Sequence, residues 1–90
     1  MVLLISYDLN SHERPSAYSA VKNAIESHAI DSRRPLYSQW LVDSNDGVLT
    51  WRERLRSVID RDDHLLILEV RQPVDGWLDE EHWKWLNSRI

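Results

Sequence analysis

The opening stretch, Met1-Val-Leu-Leu-Ile-Ser-Tyr-Asp-Leu-Asn10, constrains the fold more than any other part of the chain. Its near-continuous apolar run predicts a strand over Val2 to Asp8 that is buried on both faces, and so a central place in a sheet. The same strand runs out into Asp8. A carboxylate at the mouth of a sheet can face a metal ion or accept hydrogen bonds from nearby amides.

Helix and strand signals alternate through the rest of the chain. After the polar loop Asn10 to Arg14, Pro15 suits a first helical turn. Tyr18, Val21, Ile25 and His28 then recur at helical spacing with Ala17 and Ala24 beside them, which predicts a helix of roughly 14 residues. Asp31-Ser-Arg-Arg-Pro35 reads as a break, since Pro35 biases Arg34 toward extended backbone, and Leu36 to Asp43 reads as a second strand region. Asn45-Asp-Gly47 turns the chain. Thr50 with Glu53 makes a capping-box pattern ahead of Leu55, Val58 and Ile59, predicting a second helix over about Trp51 to Asp60. Arg61-Asp-Asp63 is a polar turn, and His64 to Val70, with its run Leu-Leu-Ile-Leu-Glu-Val, predicts another central strand. Gln72 to Gly76 loops out, Asp79 can cap, and Trp83, Leu86 and Ile90 mark a C-terminal helix.

Taken alone, this β-α-β-α-β-α order fits a small parallel sheet. The competing architecture is an α+β, ferredoxin-like β-α-β-β-α-β sandwich with an additional C-terminal helix, which requires residues 30 to 43 to supply two strands or one long, bent strand. No repeat or linker divides the 90 residues, so a single domain is expected, burying about two-thirds of its unfolded surface and open to supplement by dimerisation.

The absence of cysteine excludes disulfides, thiolate nucleophiles and Cys-based zinc sites. The apolar runs are too short for a bilayer and no signal-peptide pattern is present, so the expectation is a soluble, cytoplasmic protein with no membrane partner. The net charge of −4 argues against indiscriminate nucleic-acid binding. It is unevenly spread, however: residues 33 to 61 are locally +2 and residues 62 to 90 are −4. That split can set a basic face on nucleic acid or pair the middle of one subunit with the tail of another.

Among candidate chemical groups Asp8 comes first, as a metal-facing and catalytic residue. Magnesium prefers an octahedron of oxygen ligands and is commonly held by one or two carboxylates with water and phosphate, so one Asp per chain is poor, whereas two Asp8 residues across a dyad would suffice. Mg²⁺ or Mn²⁺ is the cofactor this implies. The alternative is an Asx-type turn in which Asp8 accepts from the amides of Asn10 or Ser11. His12 and Glu13 could enter such a site as proton-transfer groups or be exposed loop residues. His28, His64 and His82 have no ligand spacing and read as surface or partly packed histidines.

With glycine only at positions 47 and 76 there is no phosphate-cradling loop, and no organic cofactor is expected. Arg52 and Arg56 share a helical face, with Arg33, Arg34 and Arg61 near in sequence. Arginine suits bidentate phosphate contacts, which makes Arg33, Arg34, Arg52 and Arg56 the candidate nucleic-acid contacts; the alternative is a solvated face paired with Glu53, Asp60 or the acidic tail. Five tryptophans could stack on bases, but their positions favour packing: Trp40 in a strand, Trp51 at a helix start, Trp77 and Trp83 about the last helix. Trp83 and Trp85 fall on opposite faces, so one of them should be left for a subunit contact, pointing to a homodimer.

Leu-Ile-Ser-Tyr-Asp-Leu-Asn at 4 to 10, Tyr18-Ser followed by Ala24-Ile, Tyr37-Ser-Gln-Trp-Leu-Val42, and Arg52-Glu-Arg-Leu55 leading into Asp60-Arg-Asp-Asp-His-Leu-Leu-Ile-Leu-Glu-Val70 together carry a resemblance that runs over almost the whole chain, including Trp85-Leu86. In this order and spacing the sequence resembles the SinR-like family of small bacterial proteins, itself similar to a branch of the CRISPR-associated protein 2 superfamily, which includes the virulence-associated protein D ribonucleases. The resemblance implies a ferredoxin-like two-fold dimer with Tyr7-Asp8 close to the dyad. It also implies a divalent metal held by the matching Asp of each subunit for phosphodiester hydrolysis, or a non-catalytic role as a structural hub that bridges protein partners. Two departures lower the expectation of tight nucleic-acid binding: the loop Asn10-Ser-His-Glu-Arg-Pro15 is not rich in Lys or Arg, and an acidic helix stands where the CRISPR-associated proteins end in a strand.

Overall fold

A computed structural model describes residues 1–9 and 15–90. In chain order the elements are β1 (Val2–Asp8), α1 (Pro15–His28), β2 (Asp31–Leu36), β3 (Gln39–Asp43), α2 (Val48–Arg56), β4 (His64–Glu69) and α3 (Glu80–Asn87). The four strands form one sheet in the order β2-β3-β1-β4, and every neighbouring pair is antiparallel. The parallel-sheet alternative is thereby excluded, and the fold is α+β.

β1 is central and covered on both faces, as its apolar run requires. Leu3, Ile5 and Tyr7 point to one face, where Val21 and Ile25 of α1 and Trp51 and Leu55 of α2 meet them. Val2 and Leu4 point to the other, against Leu41 and against Trp85 and Leu86 of α3. α1 follows its predicted bounds. Two buried indoles in the first layer find acceptors, as polar tips in a core must: Trp40 Nε1 donates to the Tyr7 hydroxyl at 2.9 Å, and Trp51 Nε1 to Ser44 Oγ at 2.8 Å. Burial raises the pKa of the Tyr7 phenol, only partly offset by the Trp40 hydrogen bond, so it stays neutral.

Several expectations are corrected. Asp31 to Pro35 is not a break but the body of β2; as an edge strand it accommodates Pro35, which has no amide to donate, through a register shift between Arg33 and Leu36. Residues 30 to 43 therefore supply two strands. β4 is an edge strand rather than a central one. α2 begins at Val48, so Thr50 and Glu53 already lie inside the helix and form no capping box; Gly47 is the N-cap in extended conformation, without a side-chain cap. Trp83 and Trp85 both belong to the α3 layer rather than to opposite faces, Trp85 buried and Trp83 half-buried; Trp77, expected to pack, is 99 % exposed. No helix among the described residues is long and apolar enough to cross a membrane.

Polar bonds fix the position of α3. Trp85 Nε1 donates to Asp31 Oδ2 at 2.9 Å, Arg89 reaches Asp31 at 3.1 Å and Asp43 at 3.2 Å, and the Arg89 guanidinium lies 4.2 Å from the Trp85 ring centre. The Trp85 indole is the main cause of a lowered Asp31 pKa, with the Ser32 amide and Arg33 adding to it against partial burial.

Trp51→Ala, which leaves a cavity in the first layer and removes one of the two donors to Ser44 Oγ, should destabilise the fold by about 3–5 kcal/mol, whereas Trp77→Ala should stay within about 0.5 kcal/mol of wild type, both read from urea unfolding. A lowered folded pKa means that ionised Asp31 stabilises the fold. Its contribution is complete above the ordinary value of 3.8 and disappears as pH falls through the lower folded value. Asp31→Asn should therefore unfold at lower urea than wild type at neutral pH, with the gap closing as both are titrated below pH 3.8.

Candidate functional site

Asp8 is exposed at the end of β1, and the antiparallel register sets it directly opposite His64, the exposed first residue of β4. Opposed residues of an antiparallel pair leave the same face with Cβ atoms about 4.5–5.5 Å apart, so the two side chains start from adjacent positions on one face, without an ion pair between them. The face is the one covered by α3, but at the end α3 does not reach. The next row on it holds Ser6, Gln39 and Leu66, with Gln39 Nε2 donating to Ser6 Oγ at 3.3 Å. The backbone under Asp8 is held from both sides, by β4 and by the Tyr7 amide donating to Ser38 O at 3.1 Å. Asn10, Ser11, His12 and Glu13, the partners considered for an Asx turn or for proton transfer, lie outside the described residues.

His64 also lines a groove of about 610 Å³ between α2 and β4, with Arg52, Arg56 and Arg61 on its walls. Asp60 and Asp63 line it as well, with Asp63 Oδ2 accepting the Asp60 amide at 2.8 Å, and Arg52 is held at 2.9 Å by Glu53 beside it on α2. Arg33 and Arg34 are elsewhere. They sit on β2, at the opposite edge of the sheet, where Arg33 donates to Asp31 at 2.9 Å and to Ser32 O at 2.8 Å. Arg34 donates to Tyr37 O at 2.8 Å and lies over the Tyr37 and Trp40 rings at 4.8 and 5.4 Å. The four candidate arginines thus form two groups, and only Arg52 and Arg56 share a concavity with His64.

Two further features are not evident from the sequence. At the start of α3, ligand atoms of Asp79, Glu81 and His82 lie within 4.8 Å of one another, the one such grouping among the described residues. Asp79 and Glu81 are exposed, while His82 is 9 % exposed with Nε2 3.8 Å from Glu81. On the α3 side of the sheet a second groove, of about 560 Å³, is lined by Leu4, Leu36, Leu41, Leu68, Trp77 and Trp83 among others. Leu36 is 51 % exposed there, and Leu66 on the same sheet face 62 %. The pairing of Asp8 with His64 was hidden because it joins residues 56 positions apart through strand register alone.

No protein-family model matches the chain, and no curated protein matches it.

Proposed function

We propose that the chain is a ferredoxin-like, CRISPR-associated protein 2-like protein that works as a cytoplasmic homodimer and cleaves nucleic-acid phosphodiesters with a divalent metal, Mg²⁺ or Mn²⁺, held at Asp8. The strand order β2-β3-β1-β4, with helices after β1 and β3, supports the ferredoxin-like reading. The observation that carries the activity is the placement of Asp8 opposite His64, which in turn borders the arginine-lined groove. The carboxylate and imidazole leave the α3 face and the guanidinium groups belong to α2 on the other face, so His64, at the end of the edge strand, is where the two meet, and a polyanion bound around that edge would reach both.

A divalent ion there would polarise a phosphoryl oxygen and acidify a bound water. Asp8 supplies a ligand oxygen from the end of a strand paired with β3 as far as Ser6 and with β4 through Asp8 itself, which places it before substrate arrives. Arg52 and Arg56 hold neighbouring phosphates through charge-assisted hydrogen bonds. The opposite-edge arginines, Arg33 and Arg34, contribute to the fold rather than to this groove. Dimerisation is supported by the apolar groove, with Leu36 and Trp77 exposed in it and Leu66 exposed on the same sheet face, a surface that a partner would cover.

The same groove favours a second reading, a non-catalytic dimeric scaffold that bridges protein partners. The two separate on one experiment: cleavage of single-stranded RNA, single-stranded DNA and duplex DNA by wild type and Asp8→Ala in Mg²⁺, Mn²⁺ or EDTA. Wild type should cut only with metal, and Asp8→Ala should fall to the EDTA background while sedimenting as the same dimer. Equal cutting by both proteins, or none, removes the nuclease reading in favour of the scaffold. Monomer alone at micromolar concentration overturns the dimer.

A further inference from the structure

The geometry points to His64 as a second protein ligand, forming with Asp8 a mixed oxygen–nitrogen cation site that selects Mn²⁺ and similar transition ions over Mg²⁺. This rests on the metal-facing reading of Asp8 and adds to it a residue and an ion preference. The two residues are register partners across β1 and β4, their side chains leave the same face, and both are exposed at the end of that face beyond α3. Neither side needs a loop to close. Asp8 is held through β4, whose pairing with β1 runs unbroken from Leu3–Glu69 to Asp8–His64, while β3 pairs with the same strand as far as Ser6.

The donor set decides the ion. Mg²⁺ takes oxygen ligands in a near-ideal octahedron and keeps several waters, so an imidazole adds little to its binding. The later first-row divalent ions favour imidazole nitrogen, and Mn²⁺, the weakest binder of that series, accepts it beside carboxylate oxygen more readily than Mg²⁺ does. Two protein ligands leave the remaining positions to water and to phosphate oxygens, and His64 also borders the groove that carries Arg52 and Arg56. Asp79, Glu81 and His82 on α3 offer a rival grouping with its own histidine, so the test must tell the two apart.

The test titrates the full chain with Mn²⁺ alone, at fixed pH above neutrality, reading free ion by electron paramagnetic resonance and then displacing it with Mg²⁺. Wild type should bind Mn²⁺. His64→Gln should weaken binding by roughly tenfold or more, since loss of even an outer-shell partner of a ligand costs about 10–100-fold. Asp8→Asn should weaken it at least as much, and His28→Gln, an exposed histidine on α1, should match wild type. His64→Asp, which returns an oxygen ligand, should bind Mn²⁺ but yield it to Mg²⁺ at lower concentration than wild type does. Loss in Asp8→Asn with full binding in His64→Gln overturns the role of His64 and leaves Asp8 standing. Full binding in both variants places the ion elsewhere, and no binding by wild type removes the metal reading itself; each outcome overturns the inference. Urea unfolding of every variant separates a lost ligand from a lost fold.

Discussion

Burial of β1 on both faces is the constraint on which the rest of the structure depends. One face is met by α1 and α2 with large side chains, among them Trp51 and Leu55. The other has only α3, eight residues long, and a helix that short spans about 12 Å. It covers Val2 and Leu41 and stops. What lies beyond it on the same face is Ser6, Asp8, His64 and Leu66, so the open end of the sheet follows directly from the shortness of the helix that closes the other end.

Charge is divided by the same geometry. The locally positive middle of the chain looks like a surface for an anion, yet much of that charge is used internally. Arg33 and Arg89 lie over Trp85, Arg34 over Tyr37 and Trp40, and Arg54 over Trp51 while donating to Asp46 at 3.0 Å. Guanidinium groups stacked on rings act as covers for apolar surface as much as charges. Arg56 and Arg61, with Arg52 paired to Glu53, line one groove together with Asp60 and Asp63, and this is why position in the fold, rather than the count of basic residues, decides where phosphate could be held.

Much of this architecture was legible because burial and helical periodicity are local signals: β1, α1 and the Trp-rich last helix all read directly from side-chain spacing. β2 did not, since a proline and two arginines argue against a strand unless it lies at an edge, and edge position is set by distant pairing. The start of α2 was missed because Gly47 carries no side chain to announce a cap, while Thr50 and Glu53 imitate one. Asp8 was visible as a strand-end carboxylate. Its partner was not, for His64 becomes a neighbour only once the register of β1 against β4 is known.

The misplacement of β4 carries its own information. Leu65, Leu66, Ile67 and Leu68 have the composition of a strand covered on both faces, but β4 lies at an edge with Leu66 and Leu68 exposed on the side α3 leaves open. An edge strand of this kind ordinarily carries charges or proline to prevent pairing, and here the six residues hold only His64 and Glu69, at their ends. Its two exposed leucines lie on the same face as Asp8 and continue toward the groove containing Trp77. A strand built for burial but left open by its own chain supports the dimer proposed above. In that proposal the face that brings subunits together is the face that carries the carboxylate, so assembly and chemistry would depend on the same few residues.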